Sequence, residues 1–125
     1  MDERTWEEMS MARLRTAKAL LDAGFYRDSI SRSYYAAYCA AASRVRDQEA
    51  SFAHGFRNPS HEQLPRLILS AGKLPITKRR RLNSLLRVLR RAREDAEYRP
   101  YITITHSFAL FSLINANAFV ELTEI

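Results

Sequence analysis

The side chains able to do chemistry are gathered in three places. They are an arginine-rich stretch from Lys78 to Arg93, the string Arg32-Ser33-Tyr34-Tyr35-Ala36-Ala37-Tyr38, and three histidines, His54, His61 and His106. The stretch holds eight basic residues (Lys78, Arg79, Arg80, Arg81, Arg87, Arg90, Arg91, Arg93) and no acidic one. The chain has 20 Lys and Arg against 14 Asp and Glu, a net charge of +6; outside the stretch the balance is 12 against 14, a net of −2. Basicity therefore belongs to one segment. At about 100° per residue, Arg80, Arg87 and Arg91 lie opposite the Leu82/Leu85/Leu89 stripe, flanked by Arg79 and Arg90. A plain solvated face is one reading. Such faces usually mix signs, because acid–base pairs a turn apart stabilise a helix. A face of one sign suits a partner bearing phosphate or carboxylate: a nucleotide, RNA or an acidic protein.

Arg93 stands apart from its neighbours, falling near the column of Leu82, Leu86 and Leu89. A guanidinium turned towards a core needs a carboxylate, a carbonyl or a ligand phosphate. Glu97, four residues on, supplies the first; a phosphate in an inter-helix cleft is the other possibility. None of the histidines has the His or Glu partner at i+4 that a helical metal site needs, so no metal is expected. His54 reads as loop surface, His61 follows a Ser60 helix cap, and His106 opens the last helix. There is no Gly-rich phosphate loop, no G-x-S-x-G and no paired-carboxylate face, and no cofactor is expected. The single cysteine, Cys39, excludes an intramolecular disulfide and a Cys-rich zinc module.

These groups must be positioned by helices. The 125 residues suit one domain, taken as 1–125, and no run of about 18 apolar residues predicts a membrane span. The acidic start, Met1 to Glu8, lacks an apolar leader core, so a cytoplasmic location is expected. Apolar periodicity is helical throughout, with Gly24, Gly55, Gly72 and Pro59, Pro75, Pro100 between the stretches. The first helix is predicted over about Glu3 to Ala23, burying Trp6, Met9, Leu14, Ala17, Leu20 and Leu21. The second runs from an Asp28 cap to about Arg46 and is apolar on two flanks. Its second flank (Tyr35, Cys39, Ala42) is either internal packing or a dimer seam. A loop over 48–60, anchored by Phe52 and Phe56, leads to a capping box, Ser60 with Gln63, opening a short helix to about Ala71. The fourth helix covers about Thr77 to Tyr98. The fifth starts near Thr103 or Thr105 and is expected to bury Phe108, Phe111, Ile114, Ala118, Phe119 and Leu122. The fold class is all-α, an up-and-down bundle of about five helices.

The string from Gly24 to Ala41, with Arg32, Tyr34 and Tyr35 at its centre, resembles the signature helix of HEPN-domain proteins. Two further stretches are similar: Ser60-His61 at the start of the third helix, and Arg93-Glu94-Asp95-Ala96-Glu97-Tyr98 near the end of the fourth. Glu97 stands where the family usually has Asp. The resemblance covers about residues 5 to 122. It implies a helical bundle that commonly forms homodimers and pairs with a minimal nucleotidyltransferase protein in toxin–antitoxin-like or defence modules. Some branches are metal-independent endoribonucleases using Arg-x(4–6)-His, the arginine stabilising the phosphorane and the histidine moving protons. Here Arg93-x4 leads to Tyr98, and Arg57 to His61 spans only three intervening residues. Arg99-x6-His106 fits the spacing. The candidates for catalysis are therefore Arg93, Arg99 and His106. Those for nucleotide or RNA binding are Arg80, Arg87, Arg90, Arg91 and Arg93. A non-catalytic binding module is the first expectation and an endoribonuclease the alternative.

Overall fold

The computed structural model describes residues 5–52 and 58–124. His54, Phe56 and Arg57 lie outside the described residues. Helix α1 is Trp6–Asp22, α2 Tyr26–Val45, α3 Leu64–Leu69, α4 Ile76–Tyr98 and α5 His106–Thr123; a 3-10 segment, Arg46–Ser51, follows α2. The described residues contain no strand, and the all-α bundle is the observed architecture.

Local chemistry sets the boundaries. Thr5 caps α1, its hydroxyl accepting from the Glu8 amide at 3.0 Å, so the helix begins later than the apolar pattern predicts. It ends in a Schellman turn: Phe25 N–H donates to Leu20 O and Gly24 N–H to Leu21 O. Gly24 sits there at φ +87°, a conformation that side chains with a Cβ resist. Because that turn reverses the chain so tightly, α2 starts at Tyr26 and not after Asp28. Asp28 lies in the first turn instead, where its carboxylate faces the positive end of the helix dipole. Ser60 does open the third helical region, accepting from Gln63 N at 3.1 Å, and Pro65 occupies the first turn where its missing N–H costs nothing. Thr105 caps α5 by accepting from Phe108 N.

Helix α2 is central and packs on α1, α3, α4 and α5. Small residues let its neighbours approach: Ser10 Oγ donates to Ala36 O at 2.8 Å and Ser29 Oγ to Ala17 O at 2.7 Å. On the second apolar flank of α2, Cys39 and Ala42 are buried within the chain and Tyr35 is half-buried. The core joins Ile30, Tyr34, Leu64, Ile68, Leu82, Leu86, Leu89 and Phe119. Leu82, Leu85, Leu86 and Leu89 point inward as the α4 pattern predicts.

Helix α5 departs from expectation. Its buried residues are Ala109, Ser112, Leu113, Ala116, Phe119 and Thr123, whereas Phe111 and Ile114 face out. The helix is apolar almost all round, so periodicity alone does not choose a face. The alanine-rich surface of α2 does, because only the small side of α5 fits closely against it. Phe52 is buried and anchors the chain after α2. No helix among the described residues is long and apolar enough to cross a membrane.

Candidate nucleotide or RNA site

One junction gathers chemistry from two helices and the turn that leads into a third. Helix α2 supplies Tyr34, Tyr35 and Tyr38, the residues before α3 supply Pro59 and His61, and α4 supplies Arg90, Arg93, Glu97 and Tyr98. Tyr34 is fully buried. Its hydroxyl meets His61 Nδ1 at 2.6 Å, and Tyr38 OH donates to Pro59 O at 2.6 Å. The imidazole stacks obliquely on Tyr38 with ring centroids 4.9 Å apart and touches Tyr35 edge-on at 6.0 Å. Two hydroxyl groups from one helix thus fix the entry to α3.

Arg93 lies across these rings. Its guanidinium carbon is 5.4 Å from the centroids of both Tyr34 and Tyr35 and 5.8 Å from that of Tyr98. Cation–π attraction of this kind strengthens as the charge loses water, and the side chain keeps only 12% of its exposure. Nη2 lies 3.3 Å from Glu97 Oε2 and 3.4 Å from the Tyr98 hydroxyl, whereas Nε is buried with no hydrogen-bond partner among the described residues. Burial works against its charge, but Tyr35 and Glu97 outweigh that and hold its pKa above the ordinary arginine value. Arg90 donates from Nη1 to His61 O at 3.3 Å and pairs with Glu94 at 3.3 Å.

Protonation follows from these surroundings. Burial lowers the His61 pKa, and the charges of Arg93 and Arg90 lower it further, so the imidazole is neutral at pH 7. Burial raises the Tyr34 pKa well above the phenol range, so that hydroxyl keeps its proton. A buried O–H must donate, and His61 Nδ1 is its partner. Nδ1 therefore accepts, and the imidazole proton sits on Nε2. Burial likewise pushes Tyr38 up to about 12. Both tyrosine hydroxyls are thus committed, Glu94 and Glu97 match the charges of Arg90 and Arg93, and the buried Arg93 Nε is a donor without a partner among the described residues.

The other candidates fall elsewhere. Arg99 Nη1 binds Asp95 Oδ1 at 2.7 Å, and His106 packs edge-on against Tyr26 at 5.7 Å. The imidazole that feels the charge of Arg93 is His61, which enters from the start of α3. The junction of Arg99 and His106 is organised instead by Arg27, which donates to the carbonyl oxygens of Ala96 (2.9 Å), Asp95 and Arg99 (both 3.3 Å), Pro100 and Ile102. Sequence reasoning missed Arg27, whose only signal is its place beside the α1–α2 turn. Arg80 and Arg91 are exposed, and Arg87 binds Asn83 Oδ1. On the α4 wheel these three continue outward from Arg90, so a basic ridge lies beside this junction. Arg32 is exposed on α2. Among the described residues no group of His, Cys, Asp and Glu could hold a metal ion.

A family model described as HEPN domain matches residues 4–125, nearly the whole chain. No curated protein sequence matches it. The chain belongs to the HEPN-domain family.

Proposed function

We propose that this HEPN-domain protein binds a phosphate-bearing ligand, RNA or a nucleotide, at the junction of α2, the start of α3 and α4. The observation that carries the proposal is Arg93: a guanidinium largely withdrawn from water, laid over two tyrosine rings, with Nε unpartnered among the described residues. Arg93 and Arg90 contact the phosphate, and His61 donates from Nε2. Tyr98, exposed beside Arg93, gives a surface on which a base can stack. Arg87, Arg91 and Arg80 extend the path of positive charge along α4 for a longer strand. The protein acts as a homodimeric component of a toxin–antitoxin-like or defence pair with a minimal nucleotidyltransferase.

Binding is favoured over RNA cleavage by the state of His61. A general base needs a free lone pair, and the His61 lone pair is engaged by the Tyr34 hydroxyl. The endoribonuclease alternative then falls on Arg99 or Arg93 with His106. Cleavage of RNA in EDTA by the wild type, and not by His106→Ala, would establish that alternative.

The binding proposal is tested by titrating labelled single-stranded RNA, and separately a labelled nucleotide, at two salt concentrations. Arg93→Lys keeps the charge but loses the planar fork, and affinity should fall about tenfold. Replacing Arg80, Arg87 and Arg91 together by Ala should flatten the logarithmic salt slope for RNA by roughly one unit for each phosphate no longer neutralised. If neither change alters RNA or nucleotide affinity, this surface is not the site; retention of an acidic protein partner alone would assign the arginines to protein docking.

A further inference from the structure

At the end of α2 remote from the Gly24 turn, the helix, the 3-10 segment and the loop between α3 and α4 border a pocket of about 130 Å³. Arg44 lines it from α2, Arg46 and Asp47 from the 3-10 segment, and Gly72 and Lys73 from the loop. Three basic side chains against one acidic one give this lining a net charge of +2. Arg44 is half-buried, its Nε is shielded from water, and its guanidinium makes no hydrogen bond or ion pair among the described residues. By contrast, Arg27 and Arg79 donate to backbone carbonyls, Arg90 faces Glu94 and Arg93 faces Glu97. The negative end of the α2 dipole attracts a cation. That accounts for a solvated arginine, but not for one partly withdrawn from water with no acceptor. Lys73 and Asp47 are exposed and make no ion pair among the described residues, and Arg46 reaches only Glu7, at 3.4 Å with both side chains well exposed. An exposed pair of that kind contributes little and yields to a stronger charge.

We propose that this pocket is a second anion site, which takes a doubly charged phosphate group, either free phosphate or a phosphate monoester. It is separate from the junction of the proposed function. Arg44 follows Tyr35 by nine residues, half a turn round α2 at about 100° per residue, and so stands on the opposite side of that helix. The cations come from three elements, and a tetrahedral oxyanion presents oxygens in enough directions to meet all of them, whereas a carboxylate presents two in one plane. A lining of +2 matches the nearly two charges of a phosphate monoester better than the single charge of a backbone diester. The volume is about that of four water molecules, room for one phosphate group and little more. Anything esterified to that group leaves by the rim at Gly72, where even an added Cβ would meet nothing within 4 Å. Asp47 is the one carboxylate of the lining and opposes the ligand, so it sets the affinity below what the three cations alone would give.

Titration of the whole chain with inorganic phosphate, followed by its backbone amide resonances, tests this. Shifts at residues 43–47 and 71–74 should saturate, and acetate at the same ionic strength should not reproduce them. Shifts at 59–61 and 93–98 report the Arg93 junction separately, so the two sites stand or fall independently. Arg44→Gln should weaken phosphate binding about tenfold or more, and Lys73→Gln about threefold. Asp47→Asn should tighten it by a similar small factor. Lys73 and Asp47 are exposed, so these two variants keep the bundle intact and read the site even if Arg44→Gln unfolds it. Adenosine 5′-monophosphate distinguishes the sources: tighter binding than inorganic phosphate assigns the pocket to an esterified group, and equal or weaker binding assigns it to free phosphate. Shifts that grow without saturating, or a phosphate affinity that neither Lys73→Gln nor Asp47→Asn moves, overturn the inference.

Discussion

Removing one oxygen atom from Tyr34 probes the centre of the tyrosine–histidine junction. Tyr34→Phe keeps the ring that packs in the core and supports Arg93, but deletes the hydroxyl 2.6 Å from His61 Nδ1. A neutral hydrogen bond contributes about 1 kcal/mol net, and His61 is half-buried, so its freed nitrogen regains only part of its hydration. The expected loss is about 1–2 kcal/mol, or roughly 3–8 °C in Tm for a domain of this size. His61→Ala loses the same bond from the other side and leaves the fully buried Tyr34 hydroxyl without an acceptor. That change should cost more, about 2–3 kcal/mol. The double variant should cost less than the two single losses added together, with a coupling of about 1 kcal/mol. Urea denaturation of the four proteins measures this. Additivity within about 0.3 kcal/mol would mean that the two groups do not interact, and the assignment of the imidazole proton to Nε2 would fall with it.

The remaining predictions concern pH, the α4 junction and one surface. Because the folded state lowers the His61 pKa below 6.5, protonation favours the unfolded chain. The His61 contribution is complete above pH 6.5 and is lost as pH falls towards the lowered value, so wild type should lose more stability between pH 7.5 and 5.5 than His61→Ala. Equal losses in urea titrations at the two pH values would refute the neutral imidazole. Arg27→Ala strips the charged donor from five carbonyl groups around the end of α4 and should cost about 2–3 kcal/mol, with Arg27→Lys recovering only part. A chemical-denaturation change under about 0.5 kcal/mol would show that water replaces it. The salt dependence of RNA binding completes the set.

The sequence is most informative where chemistry is local. The Ser60 and Thr105 caps, the glycine stop at Gly24 and the end of α4 at Tyr98 all follow from residue types a few positions apart. The leucine stripe of α4 is legible for the same reason: opposite it stand arginines, and one face is unmistakably apolar. Helix α5 lacks that contrast, so the choice of Ala109 and Ala116 over Phe111 and Ile114 depends on the shape of α2, a tertiary property. The candidate site is half legible. Tyr34, Tyr35 and Arg93 carry individual signals, but the meeting of Arg93 with His61 joins residues 32 positions apart in different helical regions. Spacing rules search for a histidine next to its arginine along the chain, and this pointed to His106. Only the way α3 leans on α2 and α4 brings His61 to the site.

The central claim, that a phosphate-bearing ligand sits between Arg93 and His61, is tested most directly by the imidazole nitrogen resonances of His61. In the free protein they should report a neutral ring protonated on Nε2. Addition of RNA or nucleotide should shift Nε2 strongly and Nδ1 little, because the ligand meets the outward nitrogen while Tyr34 holds the inner one. A ligand that binds without moving either His61 resonance would place the site elsewhere and contradict the account.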